Sequence, residues 1–268
     1  MAQETYFTDG AAYERHMARW SRGAGATFLD WIAPPGGARW LDVGCGTGAF
    51  TELVLERCAP AAVVAVDPAV AQIEHARGKP VGKRADFRVA DAQELPFPDA
   101  SFDVVASALV INFIPDRPRA LAEMRRVGRP GALVASYVWD FAAGRGAGAP
   151  LRRGMSRFGV KLPPTPGTEE SRLDVLSALF AVAGLEDIAL RTIEVTMSFA
   201  NFDEFWRTQI PPFNPVGKAL ASLSAADRDR VADLVRADLP AGPDGSIRHT
   251  ARANAVKARV PKRTGVGR

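Results

Sequence analysis

Short apolar runs alternate with helical patterns from residue 38 to residue 141. ARWLDVG (38–44) has the character of a strand. TGAFTELVLERC (47–58) places Phe50, Leu53, Val54 and Arg57 at helical spacing, and Pro60 closes it. AAVVAVD (61–67) is a β-branched run, and Pro68 opens the helix PAVAQIEHARG. DFRVAD (86–91), FDVVASALV (102–110) and ALVASYVWDF (132–141) predict three more strands. A helix from about Asp116 to Val127 separates the last two, with Leu121, Met124 and Arg125 on a common face, and Arg-Pro-Gly at 129–131 predicts the turn. Strands apolar on both faces, alternating with helices, point to an α/β fold whose mostly parallel sheet has helices on both faces.

Beyond Phe141 the pattern changes. Residues 142–170 are rich in Gly, Pro and Arg without a sustained period, and read as a mobile loop or lid. Residues 171–185 predict a helix stopped by Gly184, and 188–199 a strand. A helical insertion at 201–239 leads to the turn signal PAGPDG. The last strand, 246–260, only partly alternates between its alanines and Arg248, Arg252 and Lys257, as expected of a strand near a sheet edge. Residues 1–35 predict a helical segment ahead of the first strand.

Composition adds a soluble globular character: 47% of the 268 residues are hydrophobic and 24% charged. The net charge of +4 suggests an acidic partner until its location is considered. Residues 245–268 hold seven Lys or Arg and no acid, so the remainder carries −3. Cys45 and Cys58 cannot staple a chain of this size and read as reduced thiols of a cytoplasmic protein. The first residues lack the pattern of a signal peptide. Apolar stretches stay far below the roughly 20 residues that a bilayer span requires.

The chemistry concentrates in LDVGCGTGAF (41–50). A strand ends at Val43, glycines turn the chain, and a helix begins, so backbone N–H groups and a helix N-terminus face a ligand that can approach closely. Gly44, Gly46 and Ala49 also satisfy the G-x-G-x-x-G/A pattern of dinucleotide binding, and a tight turn without ligand would use the same residues. Three acids narrow the choice. Asp42 lies two residues before the first glycine, Asp67 ends the second strand and Asp91 the third. Ligands of open parallel sheets bind at the carboxyl ends of the strands, so these carboxylates would line one crevice. Read alone, Asp67-Pro68 would also make an N-cap followed by Pro at N1, and Asp91 a turn.

The order LDVGCGTG, VVAVD, VADAQELPFPDASFDVVASALV and RALAEMRRVGRPGALV resembles a class I S-adenosylmethionine-dependent methyltransferase over roughly residues 36–140. It is most similar to the small-molecule branch that includes the ubiquinone and menaquinone biosynthesis methyltransferases. The resemblance implies a Rossmann-like seven-stranded sheet, six strands parallel and the last antiparallel. It divides a single domain, 1–268, into an N-terminal helical cover (1–35), a cofactor-binding core (36–141), a lid (142–170), a C-terminal helix with the last two strands (171–261, insertion at 201–239) and a tail (262–268). S-adenosylmethionine is the implied cofactor. By position, Asp42 would meet its methionine ammonium, directly or through water, Gly44, Gly46 and Gly48 its methionine and ribose, and Asp67 its ribose hydroxyls. Asp91 and the backbone of Ala92 would read the adenine, while Ser107 and Ala108 would close the pocket. Tyr13, Arg19 and Trp20 of the cover would touch cofactor or substrate, unless that helix simply packs on the domain.

A methyl on a sulfonium is already activated, so orientation and water exclusion carry the reaction, at on the order of 7–11 kcal/mol. A base is required only for an acceptor protonated at working pH, and His16, Asp140 and His249 are the candidates. Asn112 stands where relatives often have histidine. The expected partner is a small-molecule acceptor: the Asn-Pro-Pro-type tetrad of nucleic-acid amino methylation is absent, neither cysteine follows proline, and no Cys/His pair has metal-ligand spacing. The competing expectations are a cofactor-binding regulatory protein without turnover and a nicotinamide-dependent oxidoreductase.

Overall fold

Seven strands build one sheet in the order β3-β2-β1-β4-β5-β7-β6. They are β1 (Arg39–Val43), β2 (Ala62–Asp67), β3 (Asp86–Val89), β4 (Phe102–Ala108), β5 (Gly128–Trp139), β6 (Glu186–Phe199) and β7 (Ile247–Arg259). The computed structural model describes residues 10–210 and 215–262, and within the first helix the side chains of Met17 and of Arg19 onward. Pairing is parallel from β3 through β5, and β7 runs antiparallel to both β5 and β6, which leaves six strands in one direction and one reversed.

The two-residue period of the strands sorts their side chains into two cores. Trp40, Val104, Ala135 and Tyr137 face one side, where α1 (Gly10–Ile32) and α2 (Ala49–Arg57) add Trp20, Phe28, Phe50 and Leu53. Leu41, Val43, Val105 and Val134 face the other, under Leu121 and Met124 of α4 (Arg117–Val127) and Phe180 of α6 (Leu173–Val182). α3 (Val70–Gly78) buries Ile73 and Ala76 against Ala65 and Phe87. The helical insertion forms as α7 (Phe202–Gln209), α8 (Pro215–Ala221) and α9 (Ala225–Asp238).

The expected start of α4 is confirmed. Asp116 is its N-cap, accepting a hydrogen bond from the Arg119 backbone N–H at 3.0 Å. Asp116→Ala is expected to lower stability by about 1 kcal/mol, a fall of about 2–4 °C in the thermal midpoint measured by circular dichroism, because a cap bond is lost and no core contact is.

Three expectations are corrected. The turn at 129–131 is part of β5, which starts at Gly128 opposite Phe102 and changes register before Val104 meets Leu133. Gly131, at φ +82°, absorbs the irregularity that a turn would otherwise make. The lid at 142–170 contains a helix, α5 (Ala149–Arg157), which buries Leu151 and Met155. Gly154 hides its periodicity: a Cβ there would lie 2.4 Å from Val235 Cγ2, so the glycine permits close packing of α5 on α9. The last strand is not at the edge. β7 is enclosed between β5 and β6, and its alanines suit a strand covered on both sides, whereas β6 forms the edge and exposes alternate residues. Its cations are engaged: Lys257 Nζ donates to the Trp31 carbonyl at 2.8 Å and sits 4.8 Å from the Trp31 ring centre, and Arg252 pairs with Asp140.

Candidate active site

The site begins where β1 runs into α2. Gly44, Gly46 and Gly48 have φ of +78°, +52° and +84°, a left-handed region that glycine enters without steric penalty. The N–H groups of Gly44 and Cys45 donate to the Val66 carbonyl at 2.8 and 2.9 Å, tying the loop to the end of β2. A Cβ on Gly44 would lie 2.4 Å from Val110 Cγ1, so this glycine is required for the loop to sit against the chain leaving β4. Gly46 differs, since a Cβ there would meet nothing within 4 Å. The loop therefore presents open backbone at its crest.

Asp67 shapes that crest. Its Oδ2 accepts from the Gly46 N–H at 3.0 Å and its Oδ1 from the Ala69 N–H at 2.9 Å. Burial raises its pKa despite these two bonds. It is not the cap of α3, which begins at Val70 with Ala69 as N-cap. Behind the loop Asp42 is fully buried: Oδ2 accepts from Thr51 Oγ1 at 2.6 Å, and Oδ1 has no partner. Burial pushes its pKa up to about 7, against the Thr51 bond, and the charge of Asp67 adds to the rise. An ionisable oxygen left without a donor in a buried position is costly unless a ligand supplies one.

A cleft of about 720 Å³ opens over this loop, within the range of small-molecule sites. Its lining includes Gly44, Cys45, Gly46, Thr47, Asp67 and Gln72, together with the apolar Phe50, Leu53, Ala108, Leu109, Val110, Phe113 and Tyr137, and α1 adds Ser21 and Arg22. Phe50, Leu53 and Tyr137 converge at Gly25, where an added Cβ would lie 2.8 Å from Leu53 Cδ2, so α1 approaches the cleft wall as closely as its glycine allows.

Of the predicted site residues, Gly44, Gly46, Asp67 and Ala108 line this cleft. Gly48 turns away, against Phe87, and Asp42 lies beneath. Asp91 is two residues beyond β3, is exposed, and accepts from the Gln93 backbone at 2.8 Å, with Ala92 buried beside it. Ser107 is buried within β4, its hydroxyl unpartnered. Among the described residues no group of three or more His, Cys, Asp or Glu could hold a metal ion, and no helix is long and apolar enough to cross a membrane.

Comparison with known proteins follows the same stretch of chain. Residues 41–136 match the family described as methyltransferase domain. Over those residues the chain is similar to a methyltransferase domain. Over 128 residues it is 35% identical to a malonyl-[acyl-carrier protein] O-methyltransferase of Serratia marcescens, covering 48% of this chain and 49% of that protein. Over 108 residues it is 38% identical to the ubiquinone/menaquinone biosynthesis C-methyltransferase UbiE of Dinoroseobacter shibae, covering 39% and 43%. The chain thus spans half or less of the length of these curated relatives. In fold it resembles the phosphoethanolamine N-methyltransferase 2 of Haemonchus contortus, solved with phosphomonomethylethanolamine and S-adenosylhomocysteine. That likeness has a TM-score of 0.58 at 20% identity and covers 97% of this chain and 59% of that one.

Around the cleft, several of the predicted site residues make structural contacts. Trp20 is wholly buried away from the cleft: its Nε1 donates to Gln209 Oε1 at 2.7 Å and its ring lies edge-on to Trp139 and His249. Arg19 is exposed and does not line the cleft. The side chains of Tyr13 and His16 lie outside the described residues. Asp140 accepts from Arg252 Nε at 2.7 Å and from the Ala143 N–H at 3.0 Å, which anchors the chain leaving β5. His249 is buried with Nε2 3.1 Å from the Ala147 carbonyl, and burial pushes its pKa down to about 4. Neither Asp140 nor His249 lines the cleft, so as bases both are corrected to anchors. Asn112, also buried, donates from Nδ2 to the Pro166 carbonyl at 3.1 Å and holds the segment before α6.

Sequence reasoning missed Ser21, Arg22 and Tyr137. Ser21 and Arg22 directly follow Trp20, so the cover helix was the correct element with the wrong face. Tyr137 was hidden in an apolar run that reads as core. Its position opposite Ala108 in the β4–β5 register was the available signal.

Proposed function

We propose that this protein binds S-adenosylmethionine in the cleft over the glycine loop and transfers its methyl group to a small-molecule acceptor. The observation that carries this reading is the unpartnered, buried Asp42 Oδ1 behind an open Gly46. A carboxylate prepared without its donor suits an ammonium group, and the unfilled backbone at Gly46 suits close approach by a ligand. Asp67 would hold a vicinal diol, since a carboxylate accepts several hydrogen bonds. Asp91 and Ala92 would meet the adenine, and Ala108, with Ser107 behind it, would close the pocket. When bound, the cofactor supplies a methyl group activated by its sulfonium. The chain contributes position and dryness: Phe50, Leu53 and Tyr137 exclude water where the acceptor would stand.

The likeness of 35–38% to enzymes named as O- and C-methyltransferases of a malonyl-[acyl-carrier protein] and of ubiquinone/menaquinone biosynthesis supports the reading, as does the net charge of −3 ahead of residue 245 for a cationic cofactor. A cytoplasmic setting, with Cys45 and Cys58 as free thiols, belongs to the same proposal. Titration calorimetry with S-adenosylmethionine and with S-adenosylhomocysteine is expected to show one site per chain. Heat with NADH and none with either of these ligands would favour an oxidoreductase instead. Binding without methylation of any acceptor in a broad metabolite panel would favour a regulatory protein.

A further inference from the structure

We propose that the cleft wall where α1 meets α2 and Tyr137 takes an acceptor with an ionised oxygen on an apolar body, its charged head met by Arg22 and Ser21. This inference rests on the methyl-transfer reading. Phe50, Leu53 and Tyr137 converge at Gly25, one helical turn beyond Ser21, and suit a ring or an alkyl body. Arg22 is the one cationic side chain among the described lining residues. Glu56 accepts from its Nη2 at 2.6 Å, and Glu52 lies 3.8 Å from Nη1. A guanidinium has five N–H donors, so the two glutamates fix its direction without exhausting it. Beside it, Ser21 Oγ is buried and has no hydrogen-bond partner. A donor and a cation at adjacent positions of α1, over an otherwise apolar wall, form a small receptor for an oxyanion.

The proton inventory agrees. The other titratable side chains described in the lining are Cys45, Asp67 and Tyr137. Cys45 is held protonated by burial and by the charges of Asp42 and Asp67, and Asp67 is occupied by two backbone N–H groups. An alcohol, or an amine that is protonated at working pH, would first have to lose a proton that this wall offers little to receive. An ionised oxygen would not: it gains the methyl group as the S–CH₃ bond breaks, the bonding pair stays on sulfur, and both charges are neutralised with no proton released.

The experiment uses the full chain saturated with S-adenosylhomocysteine and titrates 3-phenylpropionate, 4-nitrophenolate, 3-phenylpropylamine and methyl 3-phenylpropionate by calorimetry. The expected result is binding of at least one of the two anions, at least tenfold tighter than the amine and the ester. The carboxylate and phenolate arms distinguish the two sources of an ionised oxygen. Arg22→Met and Ser21→Ala are each expected to weaken the anion by fivefold or more, with the affinity for S-adenosylhomocysteine changed less than twofold. With labelled S-adenosylmethionine, the bound anion is expected to yield its methyl ester or ether. Tighter binding or methylation of the amine, equal binding of acid and ester, or binding of none of the four by protein that does hold S-adenosylhomocysteine would overturn this inference alone. Failure to bind S-adenosylhomocysteine at all would overturn it together with the methyl-transfer reading.

Discussion

Without cofactor, ionisation of Asp42 is expected to cost this protein stability as pH rises from 4 to 7, and Asp42→Asn is expected to remove that loss. The folded-state pKa of Asp42 is raised to about 7 by burial, from an ordinary value of 3.8. A folded state that holds its proton more tightly than the unfolded chain gains stability that is fully present below the unfolded pKa. That gain is lost as pH climbs through the folded value. The whole span corresponds to at most about 4 kcal/mol, because each tenfold change in an acid constant is worth about 1.4 kcal/mol. The pKa of Asp67 moves in the same direction, whereas His249, held down to about 4 by burial, gains stability as pH rises toward its ordinary 6.5, so the Asp42 effect is read as the difference between the two proteins. Urea midpoints of both proteins at pH 5 and pH 8 measure the effect. A difference in midpoint between the two proteins that is the same at both pH values would refute it. Saturating S-adenosylmethionine is expected to narrow the difference, since a cation beside Asp42 favours the ionised carboxylate.

Asp67→Ala is expected to weaken S-adenosylmethionine binding about ten- to hundredfold. Hydrogen bonds to a charged group contribute roughly 1.5–3 kcal/mol, and removing the carboxylate also frees the Gly46 and Ala69 N–H groups that it holds. Calorimetry decides the matter, with Asp67→Asn as the intermediate case that keeps the shape but not the charge. An affinity equal to wild type would reduce Asp67 to a turn residue.

The central sheet was legible because β1, β2, β4 and β5 are apolar on both faces and each ends on a turn or helix signal. The glycine loop was legible because its spacing marks a tight turn between a strand and a helix, and the acids at the strand ends gave that turn a ligand to face. What escaped depends on contacts between segments distant in sequence. Gly154 looks like an interruption until Val235 stands against it, so α5 could not be seen from its own period. The charges of β7 suggested an edge, but Lys257 finds the Trp31 carbonyl and Arg252 finds Asp140, partners more than a hundred residues away. Of the cleft, the backbone floor was readable and the roof was not. Trp20 and Arg22 are two residues apart on one helix, yet only the packing of α1 on Tyr137 and Phe50 decides which of them turns to the core.

The place of β7 governs how this molecule can be made. Leu133 of β5 pairs with Arg259, and β6 reaches the sheet only through β7. Until that strand arrives, β5 and β6 both present bare edges, which are templates for pairing with other chains. Contacts of such long sequence separation close slowly. A nascent chain that halts before Ile247 can already display the glycine loop while its sheet is still open on one side. Aggregation of such truncations, and rescue by a supplied β7 peptide, would reveal the last strand as the bolt that completes the molecule.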